Sequence, residues 1–465
     1  LTARGDRHTQ TGLAGPVLFW TAAAMLAFAP WVRGGNRPLP LLALECGAIL
    51  LAVATAFRGD AGAWRRVAPA LRWAVAILVL VPLLQLVPVP PELWAAIPGH
   101  EPYARAMALA GVVPGWHSIS LNAAATEYAW LALLPPVAMF AAVQGLESRR
   151  VRTLLLIVLA VALLQGILGI LQLGAQPGSA LYFGNSYGGG AATGTYVNRN
   201  HFAGLMEMAL PVAMALWAAE VVPPRDADGE ILREHPRHRD VRLARRVALT
   251  AALAVLAVAL LFSLSRAGAT CGFAALAAAS LVLVWNAGSA AARAMLALVA
   301  ALAVLLGAYI GLTPVFERFA PGVLSVSYEG RVALAAAAIR GALDFLPLGS
   351  GLGTFADVFP RYQAGTVAGF VDHAHNDYAE AFLELGVAAV AVLGLAIAAY
   401  LGRWRVLARG RLSRRLGYLR VGAGLAVAAL AVHGGFDFNF HIPANALYWA
   451  FFAGVFWLTP DEDRG

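Results

Sequence analysis

Arg152-Thr153-Leu154-Leu155-Leu156-Ile157-Val158-Leu159-Ala160-Val161-Ala162-Leu163-Leu164-Gln165-Gly166-Ile167-Leu168-Gly169-Ile170-Leu171-Gln172-Leu173-Gly174 decides the fold. No charge follows Arg152, and at about 1.5 Å per residue the run is long enough to cross roughly 30 Å of hydrocarbon as a helix. Within a bilayer a helix satisfies its own backbone polar groups, so such a run is read as helical. Working outward, eleven similar runs make twelve spans: 14–33, 39–57, 70–88, 126–146, 152–174, 201–222, 246–264, 267–286, 291–312, 378–401, 416–434 and 443–459. The first is too long, and too weakly flanked by a cleavage pattern, to read as a signal peptide. Composition agrees: 465 residues at 60% hydrophobic and 13% charged, with mean hydropathy +0.70, lack the polar surface of a soluble domain. The expected fold class is an all-α integral membrane protein of about 12 transmembrane helices, with a long outside loop containing short helices.

Charge orients these spans. All 34 basic residues are arginine, and the net charge is +8. With the N-terminus inside, 25 arginines fall on the cytoplasmic side and nine outside, the positive-inside pattern with both termini cytoplasmic. The positive charge therefore reports orientation, and no nucleic-acid partner is expected. The domain reading follows: 1–312 holds spans 1–9 with outside loops 89–125 and 175–200, 313–377 is a large outside loop, and 378–465 holds spans 10–12. Cys46 and Cys271 fall inside spans and read as small buried apolar residues. In the first outside loop Trp94 and Trp116 read as headgroup-level anchors. His100, His117 and Glu127 read there as structural before functional.

The outside loops hold the chemistry. His373-Ala374-His375-Asn376-Asp377-Tyr378 runs into Ala379-Glu380-Ala381-Phe382-Leu383-Glu384-Leu385-Gly386. An imidazole near neutrality is suited to take a proton from a hydroxyl. Asp377 as N-cap, with Glu380 three residues on, would hold that geometry. Asn198-Arg199-Asn200-His201 closes a glycine-rich loop, and Phe262-Ser-Leu-Ser-Arg266-Ala-Gly268 joins two spans. A guanidinium at either place offers a planar fork for phosphate, or snorkels to lipid headgroups. Tyr328-Glu329-Gly330-Arg331-Val332 opens an alanine-rich helix through about Phe345; Arg340, nine positions on, falls on the opposite face. The following Pro347-Leu348-Gly349-Ser350-Gly351-Leu352-Gly353 reads as a lid turn. The last outside turn, Gly434 to Pro443, adds Asp437, Asn439 and His441.

His375 followed by ten residues and Gly386 resembles the signature of bacterial O-antigen ligases and their relatives, Wzy-type polysaccharide polymerases and some protein O-oligosaccharyltransferases. The likeness covers roughly residues 180–440, through the NRNH, SRAG and GR elements and the P-L-G-x-G-x-G-x-F turn. It implies an inner-membrane glycosyltransferase that moves a glycan from an undecaprenyl-pyrophosphate carrier to an acceptor hydroxyl at the periplasmic face. The acceptor is lipid A-core, another glycan or a protein. On this pattern His375 is catalytic, and Arg199, Arg266 and Arg331 bind pyrophosphate. Asn198, Asn200, His373, Asn376, Asp377 and His441 support them. No cofactor is expected. A metal held by His373, His375, Asp377 and His441 is the less favoured alternative, because arginines already supply phosphate neutralisation. A transporter, which should show inverted repeats and broken midplane helices, is the reading from a different class. One outward-facing cavity is expected to hold His375 and at least two of the three arginines.

Overall fold

The computed structural model describes residues 13–58, 61–176, 178–185, 189–221, 236–287, 321–363, 369–409 and 415–458. The protein is an all-α membrane protein. Among the described residues its strands are one two-residue antiparallel pair, β1 (Pro88–Val89) against β2 (His117–Ser118). Eleven expected spans are helical: α1 (Ala14–Phe28), α2 (Pro38–Phe57), α4 (Pro69–Gln85), α7 (Ala123–Gln144), α8 (Ser148–Leu173), α9 (Arg199–Val221), α10 (Pro236–Phe262), α11 (Arg266–Ala287), α15 (Val387–Arg409), α16 (Arg415–His433) and α17 (Pro443–Trp457). The expected span 291–312 lies outside the described residues. Seven described helices are both long and apolar enough to cross a membrane: α2, α7, α8, α9, α10, α15 and α16. Among the described residues the connections hold the short helices α3 (Ala61–Arg66), α5 (Pro91–Ala96) and α6 (Glu101–Leu109), the longer α12 (Pro321–Asp344), and the short α13 (Phe355–Val358) and α14 (Asp377–Leu385).

α9 is the axis of the bundle. Every residue from His201 to Glu220 is buried, with α8, α10, α11 and α16 packed around it. A helix apolar on all sides requires such surroundings. Outer helices instead expose apolar side chains such as Leu39, Phe57, Leu84, Leu171 and Val390, as expected where lipid is the solvent. The two ends of α9 differ in kind. At its C-terminal end Arg152 pairs with Glu220, and Arg246 donates to the Glu220 carbonyl. At its N-terminal end lies the polar cluster described below.

Three expectations are corrected. The expected tenth span, 378–401, is two helices parted at Gly386, which has φ 58°. A Cβ there would lie 2.2 Å from the Pro347 carbonyl oxygen, so the chain turns where only glycine fits. The span proper therefore begins at Val387. Trp94 is no headgroup anchor: it is 5% exposed, donates to the Ser118 carbonyl at 2.8 Å, and meets the His100 and His117 rings at a tilt, at 4.9 and 5.0 Å. Burial pushes the His100 imidazole down to about 4, so it serves as a neutral packing group. Trp116 is exposed, and so is Cys46, on the outer face of α2, whereas Cys271 is buried.

The glycine-rich turn expected as a lid is a packed anchor. Ser350 and Gly351 N–H groups donate to the Leu383 and Glu384 carbonyls at 2.9 and 3.0 Å. The buried Gln85 amide donates to the Leu348 and Glu384 carbonyls and accepts from Leu352 N–H. The Glu384 carboxylate accepts from Phe355 N–H at 3.0 Å. These bonds fix the end of α14 against α4 and α13, and hence the depth of its histidine-bearing start.

Burial raises the Glu384 carboxyl to about 7 from an ordinary value of 4.5. Because the folded value is the higher one, stability falls as pH rises through this interval, where the unfolded chain has already released the proton. Glu384→Gln removes this titration while keeping an acceptor for Phe355 N–H. Its melting temperature should therefore gain on wild type between pH 5 and pH 8. Thermal unfolding at both pH values checks this, and an equal difference at each would contradict it.

Candidate active site at the N-terminal end of the central helix

Local sequence fixes the histidine loop. Asn376 caps α14: its side-chain oxygen accepts from Tyr378 and Ala379 N–H at 3.1 and 3.0 Å, and its amide donates to the Gly435 carbonyl. The cap is thus Asn376 and not Asp377, whose carboxylate is engaged by His441 and by Phe440 N–H. Nor does Glu380 close a capping box, because its carboxylate turns to Ala374 N–H and His373 Nδ1, each at 2.8 Å. One residue before the cap, His375 takes a left-handed backbone conformation, φ 50°. Such a conformation is unfavourable for a residue bearing a Cβ and recurs where function fixes a side chain.

Asp437, in the turn between α16 and α17, gathers the site. Its side chain is fully buried. Oδ1 lies 3.2 Å from His375 Nδ1, and Oδ2 lies 3.4 Å from Arg331 Nη2 and accepts from the Asn200 amide. Arg331 also donates to the Phe436 carbonyl at 2.6 Å, and His201 Nε2 stands 3.9 Å from Oδ1. Burial alone would raise the Asp437 carboxyl. The His375 hydrogen bond and the nearby His201 and Arg331 outweigh it and hold the group well below the usual carboxylate range. An ionised carboxylate accepting from His375 Nδ1–H leaves Nε2 with its lone pair, the tautomer a general base requires. The His375 side chain is 30% exposed and so reachable.

A second cluster adjoins the first. His441 Nδ1 lies 2.9 Å from Asp377 Oδ1, and its Nε2 lies 3.2 Å from Glu380 Oε1, the oxygen that also faces His373. Burial opposes charge on His441, but Glu380 and Asp377 outweigh it and raise the imidazole to about 10. His441, His373 and Ala374 N–H hold Glu380 below its ordinary value against the effect of burial. Ligand atoms of His373, Glu380 and His441 all lie within 4.8 Å of one another, a set with the chemistry to hold a cation. Phe438 joins the clusters, its ring stacked on His373 at 4.2 Å and meeting His375 and His201 edge-on at 5.0 and 4.6 Å.

The expected residues divide accordingly. Arg331, Asn200 and His375 meet on Asp437, while His373, Asp377 and His441 meet on the neighbouring network. Asn198 accepts from Asn200 N–H at 2.9 Å and starts α9. Arg199 and Arg266 stand half-buried as the first residues of α9 and α11, two helix ends that converge here. That convergence is close: a Cβ on Gly268 would meet Ala203 at 2.5 Å and His433 at 3.4 Å. Arg340 is exposed on the far side of α12, as its spacing predicts. The sequence reading leaves out Phe438, Glu384 and the buried Glu207–His433 pair, whose nearest N···O separation is 3.0 Å. Glu207 has a legible signal, since a carboxylate inside an apolar span is by default a functional hypothesis.

Residues 251–394 match a family model described as O-Antigen ligase. No curated protein matches the chain. The matched stretch contains Arg266, Arg331 and the whole histidine loop, while Arg199, Asp437 and His441 lie outside it. The chain thus carries an O-antigen ligase-type domain, and the family likeness read from its motifs is supported independently.

The geometry separates the two loop histidines. His375→Ala should abolish activity while leaving donor binding intact, and His373→Ala, one step further from Asp437, should cost on the order of tenfold. Transfer rates measured beside donor binding check this; equal loss in both variants would contradict it.

Proposed function

We propose that this O-antigen ligase-type chain transfers a glycan from an undecaprenyl-pyrophosphate carrier to an acceptor hydroxyl at the periplasmic face of the bacterial inner membrane. The observation carrying the proposal is the single buried carboxylate, Asp437, that binds both an imidazole and a guanidinium. Transfer to a hydroxyl needs a base on the acceptor side and positive charge on the departing pyrophosphate. His375 Nε2 takes the acceptor proton, and the freed oxygen attacks the anomeric carbon from the side opposite the carrier. The glycosidic bond to pyrophosphate breaks as the new one forms, so the configuration inverts. Arg331, with Arg199 and Arg266 at the ends of α9 and α11, stabilises the charge that develops on the leaving group. The N-terminal ends of those helices add favourable dipoles for an anion.

The O-antigen ligase-type domain favours this chemistry over the transporter reading. Lipid A-core, a second lipid-linked glycan and a protein hydroxyl remain the acceptor classes, giving ligase, polymerase and protein-glycosylation versions of one reaction. The test incubates the purified chain in lipid nanodiscs with lipid-linked glycan and each acceptor class in turn. Transfer to one class is the expected result; transport of glycan without transfer to any would overturn the proposal.

Guanidinium presents a flat, two-pronged donor set to phosphate, whereas ammonium is a compact point charge. Arg331→Lys and Arg266→Lys should therefore lose roughly ten- to a hundredfold in transfer rate, corresponding to about 1–3 kcal/mol of charge-assisted hydrogen bonding. Rates for Lys and Ala variants, with donor binding measured separately, check this. Full activity in both lysine variants would reduce the arginines to general surface charge.

A further inference from the structure

Beside the proposed base lies a group of side chains with no direct part in the proposed transfer step. His373 Nδ1 and His441 Nε2 both face Glu380 Oε1, at 2.8 and 3.2 Å. A four-coordinate zinc ion, with bonds of about 2.0–2.1 Å to nitrogen and oxygen, holds its donor atoms roughly 3.3 Å apart. The observed separations stand within about half an ångström of that spacing, and the ligand atoms of all three residues lie within 4.8 Å of one another.

The surroundings point the same way. His441 uses its other nitrogen on the Asp377 carboxylate, which fixes the tautomer and aims Nε2 inward, the usual outer support of a metal-bound histidine. The second oxygen of Glu380 is held by Ala374 N–H, leaving Oε1 for the shared centre. Phe438 stacks on the His373 ring and fixes its plane. The His373 and His441 side chains are 23% and 32% exposed, which leaves an entry path and a fourth position for water.

We propose that His373, Glu380 and His441 form a binding site for a divalent transition-metal ion of the zinc class, supported by Asp377 as the outer partner of His441. Its ligands come from the histidine loop, from α14 and from the 3-10 turn Asn439–His441. The ion clamps the loop bearing His375 to the turn bearing Asp437. Its role is positional, and no step of the transfer passes through it.

The test uses tag-free full-length chain in detergent, stripped with chelator and titrated with Co²⁺ and then Zn²⁺, with no activity readout. The expected result is one equivalent of Co²⁺ per chain, giving the visible bands of a tetrahedral nitrogen/oxygen site, erased by Zn²⁺. Glu380→Gln and His441→Ala should abolish these bands, and Asp377→Asn should weaken binding about ten- to a hundredfold. Arg340→Ala, exposed on α12, should bind as wild type. Size-exclusion profile and helical circular dichroism establish that each variant is folded, and His373→Gln replaces any ligand variant that is not. Absence of bands and of retained Zn²⁺ in the wild type would overturn the proposal, leaving a network of protonated imidazoles. Binding undiminished in folded ligand variants would overturn it equally, placing the ion elsewhere in the chain. Because glycan transfer is not measured, failure here leaves the proposed function standing, and the converse also holds.

Discussion

One buried carboxylate organises the polar end of this protein. Asp437 has no exposed surface, and a charge so placed persists only where hydrogen bonds and opposite charge surround it. His375, Arg331 and Asn200 supply both, from the loop before α14, from α12 and from the start of α9 respectively. Each lies far from the others in sequence, so the carboxylate fixes their relative positions rather than recording them. Taking away the carboxylate would leave a guanidinium and an imidazole near each other in a partly buried space without their common partner. The same logic explains why the turn from Gly434 to Pro443 is short and dense in hydrogen bonds. Asp377 N–H donates to Gly434 O, and Asn376 holds Gly435 O.

Distance from water divides the site by task. The His375 side chain is 30% exposed and that of Arg331 is 29%, so both can reach a substrate. Asp437, Glu380 and Asp377 are buried behind them, and in the proposed reaction Asp437 acts through the groups it holds. A base oriented by a carboxylate, itself fixed by a guanidinium, is preorganised, and preorganised charge costs little rearrangement when the reaction occurs. Beneath these groups the Glu207–His433 pair sits wholly inside the bundle, where α9 meets α16.

Much of this was legible in the chain itself. Long apolar runs separated by arginine-bearing loops announce spans, because the hydrocarbon layer sets both their length and their composition. The spacing of Asp377, Glu380 and Glu384 places three carboxylates along one helical face, a signal the sequence reading above does not use. What was less legible depends on long-range contact. The break at Gly386 comes from the Pro347 carbonyl pressing on it, which no local periodicity reveals. Trp94 reads as an interfacial anchor by residue type, yet the fold buries it beside His100 and His117. The rank of Asp437 over its neighbours in the Gly434–Pro443 turn appears only once Arg331 and His375 are brought to it. Arg199 and Arg266 were legible as arginines at span ends, and the fold sets both at converging helix starts.

The central claim is that His375 and Asp437 act as one unit in transfer. The most direct measurement is the single-turnover rate of glycan transfer from pre-bound lipid-linked donor, for wild type, His375→Ala, Asp437→Asn and the double variant. Groups that act together are strongly non-additive, since removing one already forfeits what the other contributes. The account predicts that the double variant is no slower than His375→Ala alone, with donor still bound. Losses that multiply in the double variant would show two independent contributions and would contradict it.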